Sequence, residues 1–289
     1  MARLLLTGAG GYVGNILAKK FIESGYEVVA LLKDSKEKTF QDSQVFPLDK
    51  FSVQDVFNKE KIDGVIHLAT CYGRGGETTP QIADSNIIFP LTVLKEAIKN
   101  NVKFFINTDS ILSPKISEYS LSKNQFRQWL NFYKDDIVTI NLRIDHFFGP
   151  FDKPNKFIAF ILHELHKNVP YINLTEGTQK RDFIYIDDLI SAYCIVVENV
   201  LNNKFKKGDE YNFDVASGKQ TSIKEAVLRC KELIGNTRTI LNFGVIPLRK
   251  GEISAYVHNT EGLSTLGWKA NITFTEGIKK IIELENLKG

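Results

Sequence analysis

Residues 1–24 read MARLLLTGAGGYVGNILAKKFIES, and the stretch from Thr7 to Gly14, TGAGGYVG, decides how the rest of the chain is read. Gly8, Gly11 and Gly14 sit where a short apolar run gives way to a segment carrying Val13, Ile16, Leu17, Phe21 and Ile22 on one helical face. The three glycines serve separate steric needs, namely a tight turn, close approach of backbone to a pyrophosphate, and close packing of helix on strand. The N–H groups of Tyr12 and Val13, at the start of the helix, are donors for phosphate oxygens. A glycine pattern alone is weak, but a strand before it and a helix after it supply the confirming context.

Outward from this turn, apolar runs recur at 3–7, 27–32, 64–69, 103–108 and 137–143, separated by amphipathic stretches. Strands buried on both faces and alternating with helices predict a parallel sheet of βαβ units. After 149–157 the rhythm changes to turn-rich segments, a polar helix around 221–234 and LGW at 266–268. The helix expected at 186–201 is apolar enough to return to the first lobe. There are no internal repeats and no low-complexity tracts.

The 289 residues carry a net charge of +3 with 25% charged and 43% hydrophobic side chains, enough for one large domain or two interleaved ones. No basic stripe interleaved with aromatics argues for nucleic acid. Cys71, Cys194 and Cys230 are odd in number and far apart, the pattern of reduced thiols, and no metal-ligand spacing is present. His163 and His166 read as a solvated helix face. Three leucines before a glycine turn are too short for a signal peptide, and no apolar run approaches the ~20 residues of a spanning helix. The expectation is a soluble cytoplasmic protein without a membrane or nucleic-acid partner.

A second stretch, NTDSILSPKISEYSLSK at 107–123, places Tyr119 and Lys123 one helical turn apart, with hydroxyls at Thr108 and Ser110 upstream. Together with the glycine turn, HLAT (67–70), LRIDHFFGP (142–150), RDFIYIDD (181–188) and LRKGEISAYVHNTEGLSTLGW (248–268), it resembles the extended short-chain dehydrogenase/reductase family of nucleotide-sugar epimerases, dehydratases and 4-ketoreductases. The resemblance covers nearly the whole chain. It is nearest to the 4-ketoreductases that make CDP-paratose or CDP-abequose, through TCYGR (70–74), DHF (145–147), QKRDFIYIDDL (179–189) and FGV (243–245).

That resemblance implies an α/β fold: a doubly wound parallel Rossmann sheet with a second, smaller α/β substrate-binding lobe. Residues 1–150 and about 183–203 would form the dinucleotide-binding domain, 151–182 and 204–289 the nucleotide-sugar lobe. It implies catalysis by Tyr119, Lys123 and Thr108, with Ser110 as the alternative hydroxyl. Tyr119 exchanges the proton of the substrate oxygen, and Lys123 lowers the phenol pKa and bonds the nicotinamide ribose. Gly8, Gly11, Tyr12, Val13, Gly14, Lys33, Asp49, Leu68, Ala69, Thr70, Tyr119 and Lys123 would line the cofactor. Tyr72, Arg74, Ser110, His146, Lys156, Arg181 and Arg249 would meet the substrate, Arg181 and Arg249 through its diphosphate and Tyr72 and Arg74 at the sugar ring.

The position at the end of the second strand, where an NAD enzyme carries a ribose-binding acid, is Leu32 followed by Lys33. A missing carboxylate beside a cation favours NADPH over NADH or NAD; a solvated loop lysine is the plainer reading. Asp49 either meets the adenine amino group or caps a turn, and His146 either meets substrate or packs in the core. Thr108-Asp109-Ser110 lacks the glutamate of the 4,6-dehydratases, so the expected reaction is NADPH-dependent reduction of a 4-keto-6-deoxy nucleotide sugar, CDP-linked, in deoxysugar biosynthesis for surface polysaccharide. The alternatives are an NAD-dependent nucleotide-sugar 4-epimerase and a dinucleotide-sensing regulator. Family relatives pair through the helix of Tyr119 and the one at 88–100, so a homodimer is expected.

Overall fold

The computed structural model describes residues 1–36, 43–249 and 251–287; Lys250, inside the 248–268 motif, lies outside them. In chain order the elements are β1 (Arg3–Thr7), α1 (Tyr12–Glu23), β2 (Glu27–Leu32), β3 (Gln44–Pro47), α2 (Val53–Lys59), β4 (Gly64–His67) and α3 (Thr79–Ala83). A π-turn at Asp84–Ile88 joins α3 to α4 (Phe89–Lys99), followed by β5 (Phe104–Ser110), α5 (Glu118–Phe132) and β6 (Val138–Ile144). Then come β7 (His146–Phe148), α6 (Phe157–His166), β8 (Tyr171–Asn173), β9 (Lys180–Tyr185), α7 (Ile186–Leu201) and β10 (Tyr211–Val215). The chain ends with β11 (Gln220–Ser222), α8 (Ile223–Ile234), β12 (Ile240–Asn242), α9 (Glu261–Thr265) and α10 (Phe274–Leu284).

Two compact units result: Met1–Ile144 with Tyr193–Phe213, and Asp145–Ala192 with Asp214–Gly289. These bounds differ from the expected 150, 183 and 203. Residues 145–150 and 183–192 group with the second unit because β7 pairs with β9. Residues 204–213 group with the first because β10 joins the large sheet.

In the first unit a seven-stranded sheet runs in the order β10-β6-β5-β4-β1-β2-β3, and its ladders from β3 through β6 are all parallel. The order reverses at β1, which places the ends of β1 and β4 at a switch point. Leu5, Val29, Leu31, Val65 and Phe105 pack on one face against Val56, Val93, Leu94, Phe126 and Leu130 of α2, α4 and α5. β4 ends at His67, two residues earlier than expected, because Leu68 N–H still reaches Thr7 O at 3.2 Å while Ala69 N–H turns to the Thr7 hydroxyl. β5 runs on to Ser110 because Thr108, Asp109 and Ser110 pair with Leu142, Arg143 and Ile144.

The second unit holds a three-stranded sheet, β11-β9-β7, and a two-stranded ladder, β12-β8. Phe148, Phe183 and Phe274 form its aromatic centre, with ring centroids 5.0–6.4 Å apart. The LGW motif closes it: Trp268 Nε1 donates to Asp188 O and Ser191 Oγ, and the Asp188 carboxylate accepts from Asn271 and Ile272 N–H. Among the described residues no helix is long and apolar enough to cross a membrane.

Gly64 starts β4 directly opposite Phe104, whose ring lies where a Cβ would stand, 2.0 Å from its position. Gly64→Ala therefore overpacks the sheet, and its urea midpoint should fall by the equivalent of about 1–3 kcal/mol. An unchanged midpoint would show that the ring moves aside freely.

Candidate active site

The glycine turn is built by backbone contact. Gly8 has φ +68°, and a Cβ there would lie 2.7 Å from the Ala69 nitrogen; one on Gly14 would lie 2.2 Å from Gly8 O. Thr7 fixes the facing segment, its hydroxyl accepting from Leu68 and Ala69 N–H at 3.3 Å each and therefore donating to His67 Nδ1 at 2.7 Å. His67 is fully buried, and burial holds it neutral. Gly11 is the N-cap of α1 and brings no side chain to it. A turn kept free of side chains at a helix N-terminus fits the pyrophosphate of a dinucleotide.

Of the other expected cofactor contacts, Leu68 and Ala69 lie against Gly8. Leu68, Ala69 and Thr70 are half-buried, and Thr70 Oγ1 donates to Asn86 Oδ1 at 3.2 Å. Tyr12 and Val13 open α1, and Lys33 is exposed after β2. Asp49 is exposed and accepts the Ser35 hydroxyl at 2.7 Å, which lowers its pKa. Asp34, a carboxylate close behind Leu32, accepts from Lys36 N–H.

Tyr119 and Lys123 occupy the first two turns of α5, whose N-terminus is capped by Ser117 accepting from Ser120 N–H. Tyr119 bonds the Ser110 side chain, and its ring lies against Tyr72, centroids 4.9 Å apart, with the Arg74 guanidinium 5.8 Å from the Tyr72 ring. Thr108 instead shares a 2.6 Å hydrogen bond with Tyr193 on α7. The two candidate hydroxyls thus have different partners, Ser110 the Tyr119 phenol and Thr108 a second phenol.

Burial pushes the Tyr119 pKa well above 10, and Tyr72 and Asp109 add to the rise; the Ser110 bond and Arg74 pull the other way. The downward pull expected from Lys123 is not among the main influences on it. Lys123 is 2% exposed, and desolvation brings its pKa down to about 8 against an opposing pull from Asp109. Asp109 is itself buried and raised by desolvation, and Arg127 Nη1 lies 3.0 Å from its Oδ2. That carboxylate is the electrostatic counterweight to Lys123.

In the second unit, Arg181 is 5% exposed and engaged by Glu252 Oε1 at 2.5 Å and by the carbonyls of Lys180 and Ile253. Arg249 is exposed, and Lys156 is the half-buried N-cap of α6. His146 Nδ1 lies 2.7 Å from Asp145 Oδ1, and His258 lies 3.3 Å from the other oxygen. These two imidazoles and Asp182 N–H hold the Asp145 carboxylate well below the usual range despite its burial. His163 pairs with Glu285 and His166 meets Leu287 O, which are structural contacts. Tyr193, Asn86, Arg127 and His258 carry no sequence signal. Each is brought to its partner by tertiary folding, Asn86 from the π-turn and His258 from within the 248–268 stretch.

The pattern of the NAD dependent epimerase/dehydratase family matches residues 4–213. The CDP-abequose synthase of Salmonella typhimurium is 31% identical over 97% of this chain and 97% of its own length. The dTDP-4-dehydro-6-deoxyglucose reductase of Escherichia coli is 23% identical over 97% and 96%. Among solved structures, the UDP-glucose 4-epimerase of Thermotoga maritima superposes with a TM-score of 0.83 over 98% of each chain at 23% identity, a likeness of fold.

Lys123 makes the site pH-sensitive. Its folded pKa lies below the ordinary 10.5, so between pH 8 and 10.5 the unfolded chain binds more protons and stability rises with pH. Relative to Lys123→Met, the unfolding free energy should gain on the order of 3 kcal/mol across that interval. Urea titrations of both proteins at several pH values check this, and a constant difference would contradict a buried ammonium.

Proposed function

Because the chain belongs to the NAD dependent epimerase/dehydratase family, we propose that it reduces the C4 keto group of a nucleotide-linked 4-keto-6-deoxy sugar, CDP-linked by preference, using NADPH. The observation that carries this reading is the placement of the Tyr119 phenol one helical turn from the buried Lys123 on α5, with the Ser110 side chain bonded to it. In a reductase this phenol is the acid that protonates the substrate oxygen. When bound, the reduced nicotinamide supplies the hydride to C4.

The chain's own residues manage the oxygen. Tyr119 gives its proton to the forming alkoxide, Thr108 and Ser110 orient that oxygen by hydrogen bonds, and the Lys123 ammonium stabilises the phenolate left behind. Thr108-Asp109-Ser110 offers no base for the C5 proton, and Asp109 is already taken up by Arg127. Elimination of water is therefore disfavoured. Arg249 and Lys156 supply positive charge for a nucleoside diphosphate, as does Arg181 if Glu252 releases it, and His146 supplies a hydrogen-bonding contact to the substrate.

The preference for NADPH rests on the end of β2, where Leu32 stands in place of a carboxylate and Lys33 is exposed; Asp34 is turned to the Lys36 backbone. The preference for a cytidine nucleotide rests on the similarity to the Salmonella enzyme. The product class is an activated deoxysugar for surface polysaccharide. The same reading includes a homodimer, supported by Ile88, Leu121, Trp129 and Phe132, four large apolar side chains exposed on α5 and the π-turn it packs against. Phe132→Asp with Trp129→Asp should leave a monomer by light scattering, and an unchanged mass would remove this face as the interface.

The deciding assay offers NADPH or NADH with CDP-, dTDP-, UDP- and GDP-linked 4-keto-6-deoxy sugars and identifies products by NMR. Fastest turnover is expected with NADPH and the CDP sugar, and Tyr119→Phe should lower kcat by about 100-fold or more while NADPH still binds. Interconversion of intact nucleotide sugars with retained NAD would replace the reductase by an epimerase.

A further inference from the structure

One buried phenol in the first unit is unexplained by packing. Tyr193 is fully buried on α7, on the apolar helix that also buries Val196, Val197 and Val200. A phenylalanine would fill the same volume without the cost of burying a hydroxyl. The hydroxyl that is buried here meets Thr108 Oγ1 at 2.6 Å, while Thr108 itself is half-buried. Tyr72, the ring that lies against Tyr119, acts electrostatically on Tyr193 as well, so both phenols belong to one neighbourhood.

We propose that Tyr193 is a positioning residue for the reaction, donating its phenol proton to Thr108 Oγ1 so that the Thr108 proton is aimed at the substrate oxygen. This rests on Thr108 being a hydroxyl that touches that oxygen. A threonine hydroxyl has one proton and two lone pairs. If it rotates freely, its proton is shared among competing acceptors. A donor fixed on one lone pair removes those orientations. Burial pushes the Tyr193 pKa up, so Tyr193 keeps its proton across the working pH range. As negative charge grows on the substrate oxygen, the chain Tyr193 to Thr108 to oxygen strengthens cooperatively. No bond other than these hydrogen bonds changes at Tyr193, which ends each turnover as it began.

The test is a double-mutant cycle on kcat with Tyr193→Phe and Thr108→Val, with the melting midpoint and dinucleotide binding measured alongside. Y193F should lower kcat by about 10-fold, less than the ~100-fold expected for a donor that itself touches the oxygen. It should leave dinucleotide affinity within about twofold, as expected when an interaction is made only in the transition state. In the T108V background Y193F should change nothing further, while in Thr108→Ser, which keeps the hydroxyl, its full effect should return. Tyr193→Leu carries the same cycle if Y193F does not yield folded protein. An equal loss in the T108V and T108S backgrounds would make Tyr193 a packing residue and overturn the proposal. Normal turnover by Y193F beside an impaired T108V overturns the positioning role alone. Normal turnover by T108V overturns the reading of Thr108 and this inference with it.

Discussion

The contact of two backbones, Gly8 against Leu68 and Ala69, sets the geometry from which the rest of the first unit follows. With no Cβ at Gly8, the end of β1 can turn through φ +68° while touching the end of β4. Gly14 repeats the condition farther along, where α1 sits on the carbonyl of Gly8. The Thr7 hydroxyl then binds the 68–69 backbone and His67 together. An anion-binding groove is what remains when side chains are kept out of such a junction.

The neighbouring chemistry is governed by desolvation. Tyr119, Lys123 and Asp109 all shift in the direction that burial dictates for their charge type, the acids up and the base down. Arg127 limits the effect by giving Asp109 a partner. The second unit solves a similar problem with imidazoles, which flank Asp145 on both oxygens.

Much of this was legible in the sequence, and the reasons are physical. The parallel sheet was readable because strands buried on both faces are continuous apolar runs, as in RLLLT and EVVALL. Tyr119 and Lys123 were readable because both lie on one helix, where spacing fixes geometry. Tyr193 was not, since it meets Thr108 across 85 positions of sequence from the middle of an apolar helix. Nor was the choice between Thr108 and Ser110. Both lie on one strand, two apart and so on the same face, and only the elements packed above them assign each a separate partner. The unit boundaries shifted for a related reason: pairing of three-residue strands such as β7 leaves no periodic signature.

The anchoring of Asp188 by Asn271, Ile272 and Trp268 has a consequence for how the protein is made. A buried carboxylate near the start of α7 obtains its backbone donors from residues more than eighty positions downstream. On the ribosome that helix emerges long before those donors do. The second unit therefore completes this anchor only with residues as far along as Ile272, whereas β1 to β6 all lie within the first 144 positions.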